Sequence, residues 1–446
     1  MHLAEPAPAS MPEVLKFYIP LAATSVLMMV THSVISGAVA RTATPALALA
    51  AYSAAYCVGQ VFESPCYGLQ RMGLTFLKGK QSSRTVLGVV LGMLSAILFA
   101  FAVTAWTPLA GWIFNDLLGL PKDVYPLALA SLRVFIFWPA SSAVRSIFQP
   151  KIVLKKRTIW LTVNMVFRVS VMGLGALVLP RLLPQGPVGA IILVLGIGTE
   201  ALLAALAAKF AVPAFGDDPV DEPPVTGRQV LKFGLPLAFA ASAQTLGRPI
   251  LTAALLRTVT PAVTLSGYQV SVSFSFIFSA LTYNIYHAVI VFVKDGASYR
   301  RVQSFALGLG VLGFSLLALC CIPPVGAFIF GTVIGVPADI SKEAMRTLAI
   351  LTLSPLTAAA MEFYSGVLIM KRRASLVTFA KIVNMVSTCA IAVGLVMAFP
   401  SMGAAAGAVA VCSGPLIEAV ISHSVIRTSP DCREFIEKAD AQSQAA

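Results

Sequence analysis

A few polar side chains sit inside long apolar runs, where a charge is costly unless it faces a cavity or a partner. Tyr52, Tyr56, Gln60, Glu63 and Tyr67 follow one another three or four residues apart. On a helix that spacing puts all five on one face. Such a stripe suits a water-filled wall, or hydrogen bonding to a neighbouring helix. Gln244 and Arg248 share another helical face, and Pro249 follows at once. A proline bends the helix and frees a carbonyl one turn back. The guanidinium beside it offers planar donors to a carboxylate or phosphate. At the outer end of a run the same arginine would instead reach the headgroups.

Other runs carry related groups. Arg133, Pro139 and Arg145 share one; Pro355 and Glu362 share another. Asn164 and Arg168 are four apart, and Thr378, Lys381, Asn384 and Thr388 line one face of a later run. Glu200 and Glu418 are salt-bridge candidates for the arginines. His287, after Tyr283, Asn284 and Tyr286, is either a packed side chain or a proton relay. The substrate-binding candidates are therefore Arg248, Gln244, Arg145, Glu63, Tyr56, Gln60 and Arg168. Glu362, His287, Lys381, Pro139 and Pro355 are the coupling or gating candidates. Arg71, Arg133, Arg145, Arg168, Arg248 and Lys381 outnumber Glu63, Glu200, Glu362 and Glu418 within the runs. A cationic excess at low dielectric favours anions.

These groups need a scaffold, and the composition says which. Of 446 residues 58% are hydrophobic and 11% charged, against about 25% charged in a soluble domain. Apolar runs of membrane-spanning length recur throughout, without the period-2 alternation of a β-barrel. The net charge of +13 gathers in short loops, as the positive-inside rule expects, not in a nucleic-acid-binding domain. Seven cysteines form no C-x-x-C pair, so neither a metal site nor a disulfide framework is expected. No P-loop, H-E-x-x-H or nucleophile elbow occurs. The chain reads as a non-enzyme without cofactor, driven by substrate gradients or by a coupling proton or sodium ion.

The chain also repeats itself. Val14-Leu15-Lys16-Phe17 and Pro20-Leu21-Ala22 return as Val230-Leu231-Lys232-Phe233 and Pro236-Leu237-Ala238, an offset of 216 (230 − 14). The same offset takes Arg41 to Arg257, Tyr52 to Tyr268, Lys78 to Lys294, Pro139 to Pro355 and Lys155-Lys156-Arg157 to Lys371-Arg372-Arg373. Six apolar segments fall in 12–210 and six in 228–427. An acidic, Pro-rich linker spans 211–227, with a cytoplasmic leader at 1–11, without the basic region of a signal peptide, and a short tail at 428–446. Basic loops alternate so that both termini are expected in the cytoplasm. Six is even, so the repeats are parallel, and their shared axis would place a substrate site between the halves.

Several of these stretches resemble a known family. Ala55-Tyr56, Phe62, Pro65 and Gly73-Leu74 with Phe76 look like one of its helices. Pro236-Leu237-Ala238, Ala243-Gln244 and Arg248-Pro249-Ile250 look like another, and Pro139 with Lys155-Lys156 and the Pro355 to Arg372 stretch add two more. The sequence is similar to the progressive ankylosis protein family, within the multidrug/oligosaccharidyl-lipid/polysaccharide (MOP) flippase superfamily. The resemblance implies an all-α integral membrane fold, with twelve helices in a V-shaped, two-lobed, MATE-like architecture. It also implies export of small anions such as citrate, pyrophosphate or nucleotides across the cytoplasmic (inner) membrane, by alternating access around the candidates above. A proton- or sodium-coupled multidrug cation antiporter, a flippase for an anionic lipid-linked precursor and a non-transporting scaffold are the alternatives. The first of these is disfavoured because the first and seventh segments lack Asp and Glu in their apolar spans.

Overall fold

The computed structural model describes residues 11–39, 41–118, 120, 122–218, 224–255, 257–334 and 337–429. All of its regular elements are helices. The first half runs α1 (Met11–Val39), α2 (Pro45–Glu63), α3 (Pro65–Phe76), α4 (Lys80–Trp106), a single turn α5 (Leu109–Gly111), α6 (Tyr125–Val134), α7 (Phe137–Leu154), α8 (Ile159–Leu182) and α9 (Val188–Leu206). The second half runs α10 (Gly227–Leu255), α11 (Pro261–Ser279), α12 (Ile285–Phe292), α13 (Gly296–Cys320), α14 (Pro323–Ala327), α15 (Ala338–Leu351), α16 (Ser354–Met370), α17 (Ala374–Ala398) and α18 (Ala404–Thr428).

The repeat read in the sequence is present in the backbone. Offset by 216, α1 falls on α10 and α2 on α11, end for end. Pro45 and Pro261 each open a helix at its first position, where a missing N–H costs nothing. Helices α7 and α16 end alike. Lys156 and Arg372 take left-handed φ values of 55° and 57°. Arg157 N–H then reaches back to Ile152 O at 3.0 Å, and Arg373 N–H to Leu368 O at 2.9 Å, closing a Schellman cap. The two basic runs thus stop helices, and their charge suits a helix C-terminus.

Pro139 and Pro355 stand in the first turn of α7 and α16, just after the interruptions that separate these helices from α6 and α15. Each paired segment is interrupted just ahead of its proline, whose missing N–H falls in a first turn where it costs little. Eight helices among the described residues are long and apolar enough to cross a membrane: α4, α6–α7, α8, α9, α13, α15–α16, α17 and α18. With α1, α10 and the interrupted α2–α3 and α11–α12 they make up the six segments expected in each half. Only 17% of the apolar window of α4 is buried, and Phe99, Leu174, Leu182, Leu307, Phe379 and Met397 point outward. In water that surface would be untenable; in lipid it is the solvated face. The chain is a multi-pass membrane protein.

Two compact units divide the chain. One comprises Leu27–Thr245, the other the chain through Val26 and from Leu246 onward. The first has its apolar core around Phe101, Phe114, Phe135 and Trp138. The second is built on Leu255, Tyr268, Val396 and Ala406, with a further cluster at Leu317, Phe330 and Leu348.

Candidate functional site: buried charge clusters in each repeat

In the Leu27–Thr245 unit the titratable groups converge on Glu200 of α9, which is 1% exposed. Arg168 of α8 reaches Glu200 Oε2 with its NH1 at 2.7 Å, and Arg145 of α7 reaches the same oxygen at 3.2 Å. Gln149, one turn beyond Arg145, donates to Glu200 Oε1 at 2.8 Å and accepts from Gln70 at 3.3 Å. Arg145 also faces Glu63 at 3.9 Å, and Glu63 Oε1 accepts from the Ser142 hydroxyl at 3.0 Å. Two guanidinium groups and two carboxylates therefore share one buried cluster, and their formal charges cancel. Arg168, 2% exposed, keeps its Nε without a hydrogen-bond partner among the described residues. Arg145 is the least enclosed of the four at 8%.

Packing explains how α9 comes close enough. A Cβ on Gly196 would meet Met172 at 2.5 Å and the Arg168 side chain at 3.4 Å. Glycine leaves the room in which Arg168 crosses to Glu200.

The other unit holds the counterpart. Glu418 of α18 is fully buried. Asn384 of α17 donates to its Oε2 at 2.7 Å, Ser365 of α16 to its Oε1 at 3.1 Å, and Lys381 Nζ lies 3.1 Å from Oε1. Asn384 is Arg168 moved on by 216, and Ser365 is Gln149 moved on by 216. The approach is again cleared by glycine: a Cβ on Gly414 would stand 2.0 Å from Thr388 Oγ1 and 2.3 Å from Asn384 Oδ1. The cluster is one design used twice, with the positive charge moved from α7 and α8 onto Lys381.

The remaining expected site residues are dispersed. Tyr56 stacks on Trp138 at 5.1 Å, and Tyr52 packs edge-on to Phe135. The upper part of the polar stripe thus lies against the interruption between α6 and α7. Gln60 is half-buried. Glu63 closes α2, and Tyr67 stands on α3 beyond the break at Ser64. Glu362 is buried in electrostatic contact with Tyr18, whose hydroxyl donates to Leu281 O at 2.7 Å. His287 is buried with its ring 4.0 Å from that of Tyr286. Arg133 is exposed, 5.8 Å above the Trp106 ring. Gln244 and Arg248 stand on α10, and their side chains lie outside what the structure describes. Gln149, Gln70, Ser142 and Ser365 escaped the sequence reading. The i, i+4 spacing of Arg145 and Gln149 was the available signal.

Among the described residues no three His, Cys, Asp or Glu side chains converge as metal ligands. A surface depression of about 400 Å³ lined by Thr44, Asp123 and Gln185 shares no residue with either cluster.

Comparison with known proteins agrees with the family read from the residues. Residues 4–179 match the family model described as progressive ankylosis protein. No curated protein sequence matches significantly. Solved structures that resemble the chain include MATE transporters and a further transporter of the MOP superfamily. An outward-facing multidrug resistance MATE transporter is 14% identical with a TM-score of 0.69, over 96% of each chain. A mutant of the Vibrio cholerae MATE transporter VcmN is 14% identical with a TM-score of 0.71, over 94% of this chain and 97% of its own. A Pyrococcus furiosus MOP superfamily transporter, described by a reverse polarity of its binding pocket, is 14% identical with a TM-score of 0.59, over 96% of each chain. The fold is MATE-like.

Proposed function

We propose, from the match of residues 4–179 to the progressive ankylosis protein family, that the chain is a secondary transporter exporting small anionic metabolites such as citrate, pyrophosphate or nucleotides. The observation that carries this reading is Arg145, a buried guanidinium divided between Glu200 at 3.2 Å and Glu63 at 3.9 Å. The Glu63 contact is the longer, so an anion arriving at Arg145 takes the place of Glu63 while Glu200 keeps the arginine in position. Arg168 holds Glu200 from the far side. A planar guanidinium pairs with carboxylate or phosphate through two donors at once. Arg248 and Gln244 remain substrate-binding candidates on the sequence and the family resemblance alone.

A second reading has its own observation. Glu63 and Glu362 are buried carboxylates, as a proton- or sodium-coupled antiporter for cationic drugs would need, and two of the structural neighbours are multidrug resistance MATE transporters by name.

Thermal stability of the purified protein against both ligand classes separates the readings. A ligand held by the folded state alone stabilises it by about 2.7 kcal/mol at a hundredfold excess over Kd. Citrate, pyrophosphate or ATP is expected to raise Tm in the wild type and not in Arg145→Ala. A rise with cationic dyes alone, lost in Glu63→Gln, would establish the antiporter reading instead.

A further inference from the structure

We infer that the connection between the repeats is a latch: the Phe215–Asp218 strap supplies to α4, from outside, the helix cap that the second repeat builds from within. Helix α13 opens on Asp295. Its carboxylate accepts from Ser298 N–H at 2.7 Å, and its own N–H donates to Ser298 Oγ at 3.0 Å. The residue 216 positions earlier is Gly79, which has no side chain to offer. Gly79 N–H still donates to Ser82 Oγ at 2.8 Å. The missing carboxylate comes from Asp218 instead. Ser82 N–H donates to Asp218 Oδ2 at 2.8 Å and Gln81 N–H to Oδ1 at 3.1 Å.

Three more contacts hold the strap in the same unit. Lys80 N–H donates to Gly216 O at 3.0 Å, Lys80 Nζ pairs with Asp217 at 3.1 Å, and Lys155 Nζ lies 5.0 Å over the Phe215 ring. They are unequal. The Lys80–Asp217 pair is 65% and 90% exposed, so salt screens it and it holds little. The Asp218 cap is charge-assisted, bidentate and placed on the positive end of a helix.

Gly79 is the reason the strap fits. A Cβ there would stand 2.0 Å from Asp218 Oδ1 and 2.6 Å from Asp218 N. Its φ of −153° is extended backbone that any residue adopts, so space and not conformation calls for glycine. A side chain at 79 and a docked strap exclude each other. The first repeat has kept the strap, and with it a removable cap on α4 and a tether at the last described point before residue 224, ahead of α10. The second repeat, capped by its own Asp295, has no such dependence. This latch is independent of what the protein transports.

Limited proteolysis, hydrogen exchange and thermal unfolding of the full chain in detergent, for wild type, Asp218→Ala and Gly79→Asp, test it. The strap takes part through its carbonyl and carboxylate oxygens, so its release is read as proteinase K cleavage within 213–218, and loss of the cap as exchange at the amides of Gln81 and Ser82. Asp218→Ala removes cap and anchor together. Cleavage within 213–218 and exchange in the first turn of α4 are both expected to rise at least about fivefold, with a lower Tm. Gly79→Asp ejects the strap and caps α4 from within, as Asp295 caps α13. Cleavage within 213–218 rises as far, while the first turn of α4 stays protected and Tm stays near the wild type. The double variant Gly79→Asp/Asp218→Ala matches Gly79→Asp alone and controls for misfolding of either. Unchanged cleavage within 213–218 in Gly79→Asp, or no rescue of α4 in the double variant, overturns the latch.

Discussion

Arg168 and Glu200 meet at 2.7 Å with neither more than 2% exposed, and Asn384, the repeat counterpart of Arg168, meets Glu418 at the same distance. Each repeat places one carboxylate on its last helix and brings to it a donor from the helix before and another from the helix before that. The donors differ in kind, Arg168 and Gln149 against Asn384 and Ser365, and two arginines answer to one lysine.

Removing Glu200 leaves two guanidinium groups buried without their shared partner. Glu200→Ala is expected to destabilise the protein by about 3–5 kcal/mol, the usual consequence of breaking a buried pair from one side. Unfolding in denaturant, followed by Trp fluorescence, measures it. A loss below about 1 kcal/mol would mean that the arginines find other partners.

Lys381 and Glu418 form the simpler pair and lend themselves to a double-mutant cycle. Each alanine variant leaves one unmatched charge, while the double variant leaves none. The double variant is expected to lose less than the sum of the singles, with a coupling of about 1–3 kcal/mol. Additive losses would show that the 3.1 Å contact carries no energy.

Glycine at 414 is required by space. Gly414→Ala places a methyl group against Thr388 and Asn384 and is expected to cost about 1–3 kcal/mol by overpacking. Gly88→Ala, where nothing lies within 4 Å, serves as the control and is expected to stay within about 0.5 kcal/mol of the wild type. Equal Tm values for the two variants would refute the close approach of α17 and α18.

Lys156 and Arg372 hold a left-handed conformation that side chains resist. Lys156→Gly and Arg372→Gly are each expected to stabilise the protein by about 1 kcal/mol, read as an increase in denaturation midpoint. A loss in both would mean that the side chains contribute more than the strain removes.

The fold was largely legible in the sequence because hydropathy and the 216-residue repeat both survive in residue types. Pro45 and Pro261 mark helix starts, Pro139 and Pro355 mark the first turns after an interruption, and the basic runs at 155–157 and 371–373 mark helix ends. The charged members of the clusters were legible, but not their neutral donors Gln149, Gln70, Ser142 and Ser365, nor which arginine meets which carboxylate. Glu200 falls on Leu416 under the offset of 216, and only the shared donors at 149/365 and 168/384 equate it with Glu418. The register slips by two residues in the last helix, which leaves no trace in an alanine-rich apolar run. The sequence offers Glu200 and Glu418 as salt-bridge candidates for the arginines without saying which meets which; folding pairs Arg145 and Arg168 with carboxylates 32 to 82 residues away (200 − 168; 145 − 63). Partners so distant in the chain show no spacing rule. The Asp218 strap was invisible for a related reason: its signal is the absence of a side chain at Gly79.

The most direct test of the central claim is counterflow of labelled citrate, pyrophosphate and ATP into proteoliposomes, for wild type and for Arg145→Lys, with folding checked by gel filtration. The account predicts saturable anion counterflow in the wild type and at least about a tenfold loss in Arg145→Lys, where the charge is kept but the two-donor geometry is not. Anion counterflow that ignores Arg145→Lys would remove Arg145 from the site. Transport of cationic dyes with no flux of any anion would contradict the account as a whole.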